Sequence, residues 1–240
     1  MHIIIDKFAF CASHFWASSS IGEKMGMFGQ LYLISSNGSQ YVVFSIDGVV
    51  PVVAPSAYVH PSAILIGDVV VGPNCYVGPL ASLRGDFSRI EMRTGSNVQD
   101  GCVLHGFPGH DTLVEENGHI GHGAILHSCT VRRGALVGMN SVVMDDADIG
   151  EEAFVAANSF VRAGMKIAPR TLVGGTPAKL MRALGAQELA WKQVATESYQ
   201  HLTERCLATM REVSPLTALD SGRPSLRVPH VRPLLETPRS

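Results

Sequence analysis

The chain has 240 residues, of which 19 are Lys or Arg and 21 are Asp or Glu, so its net charge is −2. This near-neutral balance excludes recruitment of nucleic acid or an anionic membrane by bulk charge. A hydrophobic content of 46% with only 17% charged residues excludes a disordered chain. The five cysteines include no C-x-x-C pair, and no apolar run is long enough for a membrane helix, which together predict a soluble cytoplasmic protein.

The chain divides into segments with different periodicity. Residues 1–40 show no repeat and are predicted to be an irregular N-terminal extension. From Val53 onward an aliphatic residue recurs at every sixth position, and the fourth residue after it is mostly small. The aliphatic positions of the two longest runs are Val53, Val59, Leu65, Val71, Val77 and Leu83, then Val131, Val137, Val143, Ile149, Val155 and Val161.

This repeat of six predicts the fold. One unit forms a short strand and a corner, with the aliphatic side chain inside and the small residue at the turn. Three units close one triangular coil of about 18 residues, and successive coils stack at about 4.8 Å. In the strands of an ordinary β-sandwich, apolar and polar residues alternate with a period of two. They do not keep a period of six for over a hundred residues. The sequence therefore predicts an all-β solenoid, a parallel β-helix, over residues 41–175.

Two breaks in the repeat predict insertions. Nine residues separate Leu83 from Met92, and sixteen separate Leu104 from Ile120. Extra residues in a solenoid form loops on one flank, which is often the functional flank. We therefore expect Gly106–Gly118 to be an excursion beside a site.

The repeat ends after Val173. Thr176-Pro177 resembles a helix start, with Thr176 as N-cap and Pro177 at the first helical position. The apolar spacing that follows predicts C-terminal α-helices over 176–213, divided near Gly185. Residues 214–240 are rich in Pro, Arg and Ser and are predicted to be a mobile tail.

Three histidines stand out once they are placed on the coil. His105 and His127 each follow an inward aliphatic residue, and their separation equals one coil plus the inserted residues, so they share a face one strand apart. Two imidazoles at that spacing can share one metal ion. His122 falls on another face, about 15 Å away. A closed homotrimer, in which His122 comes from a neighbouring copy, would complete three identical sites at the subunit interfaces.

The same arithmetic brings polar partners to these faces. Arg84 lies one coil before His105, Asp86 lies just beyond Arg84, and Gln99 lies one coil before Gly121, beside His122. The alternative for each histidine is a solvated surface residue. His110 is of interest because of its place in the flanking loop, whereas His119 and the remaining histidines are interpreted as ordinary surface or packing residues.

Three strings resemble the γ-class carbonic anhydrase family: Arg84-Gly85-Asp86, the segment from Asn97 to His105, and the segment from Ile120 to His127. The match covers residues 41–213. It implies a trimeric left-handed β-helix that binds Zn²⁺, or Fe²⁺ or Co²⁺. It also implies ligand roles for His105, His122 and His127, orientation of water or substrate by Gln99 and Asn97, and a subunit-bridging pair of Arg84 with Asp86.

Within that family the strings are most similar to the phenylacetic acid degradation subgroup, with the carnitine-operon subgroup as a near relative. The first subgroup implies a thioesterase that cleaves ring-hydroxylated phenylacetyl-CoA-type thioesters with metal-bound hydroxide. Phe87 stands where the founding enzymes have a glutamate, and the acidic proton-shuttle loop is missing. Three alternatives remain open: CO₂ hydration with bicarbonate as product, acyl transfer by a metal-free hexapeptide enzyme, and a non-catalytic assembly role.

Overall fold

The computed structural model describes residues 41–226. The predicted extension over 1–40 and the last part of the predicted tail, 227–240, lie outside this range. The described residues form twenty strands and one helix. In chain order these are β1 Val42–Phe44, β2 Val52–Val53, β3 Tyr58–Val59, β4 Ile64–Val71, β5 Tyr76–Val77, β6 Ser82–Met92, β7 Asn97–Val98, β8 Val103–His105, β9 Thr112–Val114, β10 His119–Ile120, β11 Ile125–His127, β12 Thr130–Val131, β13 Leu136–Val137, β14 Val142–Val143, β15 Asp148–Ile149, β16 Phe154–Val155, β17 Phe160–Val161, β18 Lys166–Ile167, β19 Thr171–Gly175, β20 Ala178–Ala183 and α1 Ala186–Thr209.

The strands stack in parallel on three faces of a prism, which confirms the predicted left-handed β-helix. The histidine face holds β1, β8, β11, β14, β17 and the first halves of β4 and β6. The charged face holds β2, β9, β12, β15, β18 and the second halves of β4 and β6. The helix face holds β3, β5, β7, β10, β13, β16, β19 and β20.

The aliphatic residue of each unit fills the prism. On the helix face, Val77, Val98, Ile120 and Val137 pair in register on successive strands, and each is fully buried. Backbone hydrogen bonds run between the coils, and a dry column of side chains forms the core. The period of six therefore has a single physical cause, which is one inward side chain per strand.

The corners of the coil also recur every six residues. In the regular half, each corner has one residue with a left-handed backbone: Gly134, Asn140, Asp146, Glu152, Asn158, Gly164 and Arg170. Gly, Asn and Asp adopt this conformation at little cost, whereas other side chains are strained there.

The two predicted insertions lie at the far edge of the histidine face. The first consists of three extra residues inside β6, where the pairing with β4 shifts between Gly67 and Val69. The second is shorter than predicted. It ends at Asp111, because Thr112–Val114 forms β9 and pairs with β6 and β12. Val114 is buried inside the prism, so the solenoid has already resumed there.

The prediction of a helix beginning at Thr176 is wrong. Residues Ala178–Ala183 form β20, which pairs antiparallel with β19. The last coil of a solenoid leaves a row of unpaired backbone groups, and β20 hydrogen-bonds to that open edge. Gly185 does not divide two helices but precedes the single helix α1.

The helix α1 lies against the helix face through an apolar cluster around Tyr58, Tyr76 and Cys206 and through polar contacts. The Lys192 ammonium donates to the Asn117 carbonyl at 2.5 Å. Gln200 donates to the Asn117 side-chain oxygen at 2.9 Å, and the Thr203 hydroxyl donates to the Cys75 carbonyl at 3.5 Å. The described part of the chain contains no helix that is both long and apolar enough to cross a bilayer.

Burial lowers the pKa of Lys192 to about 7 from its ordinary value of 10.5. Between these two values the Lys192 side chain binds more protons in the unfolded chain than in the folded chain, so its contribution to stability increases with pH in that range. We expect Lys192→Met to flatten this increase, as measured by thermal unfolding at pH 7 and pH 9.5 at one protein concentration. The exposed Lys166→Met is the control. An equally steep increase in Lys192→Met would contradict this account.

Candidate metal centre

His105 and His127 end neighbouring strands of the histidine face. They pair in register on β8 and β11, as their spacing predicts. Nδ1 of His105 lies 3.2 Å from Nε2 of His127. Both rings are largely buried, with 12% and 23% of their side-chain surfaces exposed. One chain therefore brings two imidazole nitrogens together at a partly shielded position.

Each of these rings is held from behind by a carboxylate. Nε2 of His105 donates to Asp86 at 3.0 Å, and Nδ1 of His127 donates to Asp145. The second oxygen of Asp86 accepts from Arg84 at 2.9 Å. A neutral imidazole has one N–H, so a ring that donates to a carboxylate presents a bare nitrogen on its other side.

The two remaining ring nitrogens face each other, and their lone pairs repel unless a proton or a metal cation lies between them. Two ligands of a tetrahedral zinc ion, each bound at about 2.0–2.1 Å, are about 3.3 Å apart. The observed 3.2 Å fits that separation. Metal-binding histidines typically donate their other N–H to a carboxylate, as His105 and His127 do here. The residues present therefore fit a divalent metal ion.

His122 lies elsewhere, in the turn between β10 and β11. Its Nδ1 lies 3.1 Å from Asp100, and 46% of its side-chain surface is exposed. Among residues 41–226 of one chain, no group of three His, Cys, Asp or Glu side chains is arranged to hold a metal ion. One chain thus supplies a pair of histidines at one edge of the face and a third at another corner, as the spacing predicts. The trimer that would unite them stays a prediction.

Arg84 and Asp86 lie beside the histidine pair, as predicted. The resemblance implied that this ion pair bridges two subunits. Within one chain Asp86 joins Arg84 to His105, and the bridging role stays a prediction. The first insertion explains this geometry, because Asp86 is the first of the extra residues in β6 and can turn back towards His105.

Asn97 and Gln99 do not lie on the histidine face of their own chain. They lie on the helix face, buried under α1, and contact His119. Gln99 Nε2 is 2.7 Å from His119 Nε2, and Asn97 Nδ2 is 3.2 Å from His119 Nδ1. His119 was interpreted from sequence as an ordinary residue. The sequence contained one indication of this location, because His119 lies one coil after Asn97 and the two residues pair in register on β10 and β7.

Two aromatic rings flank the histidine pair, one from each insertion. The ring centroid of Phe87 lies 5.3 Å from that of His105, and the ring centroid of Phe107 lies 5.0 Å from that of His127. They are 58% and 53% exposed. The second insertion therefore does lie beside the candidate site, and both insertions place an apolar surface there.

Sequence reasoning also missed two carboxylates. Asp145 comes 18 residues after His127, which is one regular coil, and Asp100 comes 22 residues before His122, the same offset that separates His105 from His127. The residue counting that paired His105 with His127 could therefore also have paired Asp145 with His127 and Asp100 with His122.

Asp145→Asn is expected to weaken metal binding by about 10- to 100-fold, because the amide no longer holds the His127 N–H as an anion does. Competition with a chromophoric zinc chelator measures the affinity. The neighbouring Asp146→Asn is the control, since Asp146 contacts the exposed His110 instead. Equal affinities of the two variants would rule out this role of Asp145.

Proteins similar to this chain match it over most of its length. The carnitine operon protein CaiE of Proteus sp. (strain LE138) is 56% identical over 185 residues, which cover 77% of this chain and 94% of the relative. The chain belongs to the CaiE family. The CaiE protein of Escherichia coli (strain K12) is 54% identical over 184 residues, with the same two coverages. No family model matches the chain. The predicted likeness to carnitine-operon proteins is confirmed.

Solved structures support the hexapeptide-repeat architecture of this CaiE-family chain. A Bacillus cereus protein, provisionally described as an acetyltransferase, aligns with a TM-score of 0.68 at 35% identity over 69% of this chain and 96% of that protein. A hexapeptide transferase family protein from Anaplasma phagocytophilum aligns with a TM-score of 0.66 at 36% identity, covering 68% and 97%.

Proposed function

We propose that this chain is a metal-dependent hydrolase of acyl-CoA thioesters, with Zn²⁺, or Fe²⁺ or Co²⁺, held between copies of a homotrimer. The observation that carries the proposal is the pair of imidazole nitrogens 3.2 Å apart, on His105 and His127, each ring being anchored by a carboxylate. His122, anchored by Asp100, would supply the third nitrogen from the neighbouring copy.

The outward surface of the histidine face supports assembly with a second copy. The residues in register on its strands include Ile64, Val103 and Ile125, which are 37–41% exposed. An apolar ladder beside the histidine pair would be covered if a neighbouring prism packed there. A cyclic arrangement of three copies would give three equivalent contacts and three sites.

A bound divalent cation would lower the pKa of a coordinated water to about 7 and so supply the nucleophile at neutral pH. The side chains of the chain do the remaining work. His105, His122 and His127 would hold the ion through ring nitrogens, and their carboxylate partners fix the rings. Arg84, with 43% of its side chain exposed, pairs with Asp86 and leaves a cation at the rim of the site.

The surroundings favour an apolar acyl group as substrate. Phe87 and Phe107 present half-exposed rings within 5.3 Å of the histidines, and such rings would stack against an aryl or alkyl group. The aryl ring of a ring-hydroxylated phenylacetyl thioester is a group that these two rings would contact, and a second copy would cover it. Hydrolysis releases the acid and free CoA thiol.

CO₂ hydration is the second candidate, because the same histidines would serve it. Rapid hydration also needs a group that exports the proton, and Phe87 puts a hydrocarbon beside the site instead. Acyl transfer is the third candidate, and it is favoured by the names of the two solved relatives. A non-catalytic assembly role is the fourth.

The deciding experiment combines metal analysis, oligomer mass and thiol release. We expect purified protein to contain about one metal ion per chain, to have the mass of a trimer and to release thiol from hydroxyphenylacetyl-CoA. Rapid CO₂ hydration without thiol release would favour the anhydrase. Acyl transfer to an acceptor by metal-free protein would favour the transferase. A metal-free protein with neither activity would leave the assembly role.

A further inference from the structure

Among the described residues 41–226, no carboxylate forms an ion pair with Arg162, which sets it apart from the other arginines of the solenoid. Residues 41–175 contain seven arginines. The other six each lie within 3.8 Å of a carboxylate: Arg84, Arg89, Arg93, Arg132, Arg133 and Arg170. The Arg162 side chain is exposed. A guanidinium that its own chain leaves unpaired can bind an anion from outside.

Arg162 occupies the same position on its coil as the histidine pair does. His105 and His127 each follow directly after a buried aliphatic residue, and so do Met144 and Arg162. The strands concerned, β8, β11, β14 and β17, stack in register on the histidine face. Arg162 therefore lies two coils beyond His127, about 10 Å along the prism, with Met144 between them.

The corner that carries His122 runs along the prism parallel to this row of residues. On successive coils beyond that histidine the corner presents Met139, Ala157 and Gly175, as the register of β10, β13, β16 and β19 shows. All three are exposed. If His122 of a neighbouring copy meets the histidine pair, the same packing brings this corner opposite Arg162. The corner offers no carboxylate there, and its small residues leave space beside the guanidinium.

The groups along this row follow the order of the groups in a CoA thioester. The thioester carbon would react at the metal centre, and the pantetheine arm joins its sulfur to a diphosphate and a 3′-phosphate. Met144, with Met139 of the neighbouring copy, would line the first part of the path with flexible apolar side chains. Arg162 follows, and guanidinium groups bind phosphate oxygens through paired N–H donors.

We propose that Arg162 is a specificity-determining residue that binds phosphate groups of the CoA moiety while the thioester lies at the histidine pair. This inference rests on the proposed function, in which acyl-CoA thioesters are the substrates. It gives the bound substrate a direction along the prism. The acyl group lies against Phe87 and Phe107, and the nucleotide lies towards the last coils of the solenoid.

A truncated substrate tests this role. The N-acetylcysteamine thioester of hydroxyphenylacetate has the same reacting group as the CoA thioester but no phosphate. We expect Arg162→Ala to raise KM for the CoA thioester about 10-fold, with kcat nearly unchanged, and to leave KM for the truncated thioester unchanged. Arg162→Lys keeps the charge and is expected to raise KM less. Unchanged KM for both substrates in Arg162→Ala would overturn the proposal.

The matched control is Arg133→Ala. Arg133 is an exposed arginine of the same solenoid, but it pairs with Glu116 and lies at the corner between the charged face and the helix face. We expect this variant to keep the KM values of the unmodified protein for both substrates. An equal rise in KM for the CoA thioester in Arg133→Ala and Arg162→Ala would contradict a specific role of Arg162.

A second readout does not depend on hydrolysis. CoA and pantetheine present the same thiol, so the difference between their Kd values in calorimetry reports the nucleotide part alone. We expect Arg162→Ala to weaken CoA binding about 10-fold and to leave pantetheine binding unchanged. Equal weakening of both, or a lower oligomer mass of the variant, would overturn the proposal and assign Arg162 to the contact between copies. Absence of hydrolysis by the unmodified protein would instead refute the proposed function and leave CoA binding to test Arg162.

Discussion

Replacing His105 with alanine is expected to lower thioester hydrolysis at least about 1000-fold and to remove most of the bound metal. His105 supplies one of the two facing nitrogens, and without it only His127 and His122 of the neighbouring copy would remain at a site that needs three protein ligands. Thiol release from hydroxyphenylacetyl-CoA and metal content by mass spectrometry measure the two effects.

The matched control is His110→Ala. His110 lies in the second insertion and contacts Asp146, but its side chain is half-exposed and it does not join the histidine pair. We expect this variant to keep its metal and its activity. A fully active, metal-replete His105→Ala protein would refute the proposed metal centre, whereas loss of metal without loss of hydrolysis would show that the metal is only structural.

Mixing two inactive variants is expected to restore activity. His105→Ala and His122→Ala should each be inactive alone, because each lacks one ligand in every site. If a site takes His105 and His127 from one copy and His122 from the next, trimers refolded from an equal mixture contain some sites with all three. Random assembly gives about a quarter of the wild-type activity, since each site draws on two independently chosen copies.

This mixing experiment separates a shared site from one enclosed in a single chain. A site within one chain would give no recovery at any mixing ratio. Metal content should recover in parallel with activity, and the double variant His105→Ala/His122→Ala, mixed with either single variant, should recover nothing. Recovery in that control would contradict the proposed division of ligands.

The sequence predicts the solenoid well because each of its determinants is local. One inward aliphatic side chain per strand repeats through the chain, and the structure buries Leu104 and Leu126 as the period requires. The pairing of His105 with His127 follows from the same count. The count failed at Thr112–Val114, where the inward residue Val114 is four residues out of phase, and the insertion therefore seemed longer than it is.

Other features depend on contacts that no local pattern reveals. Residues Ala178–Ala183 look helical by propensity, but the open edge of β19 offers backbone hydrogen bonds that favour a strand. His119 resembles a surface residue until α1 covers it, and its partner Thr196 is 77 residues away in the chain. The proposed convergence of His122 with the histidine pair depends on a second molecule.

The two insertions separate what is constant in this molecule from what can vary. Both interrupt the coil at the same edge, after Gly85 and after His105, and the strands regain their alignment immediately afterwards. The length and character of these segments can therefore change while the frame beyond them stays fixed. A longer, acidic segment would surround the same imidazoles with proton carriers, whereas Phe87 and Phe107 surround them with hydrocarbon. The surroundings of the histidine pair and the frame that carries it are thus encoded in separate stretches of one polypeptide.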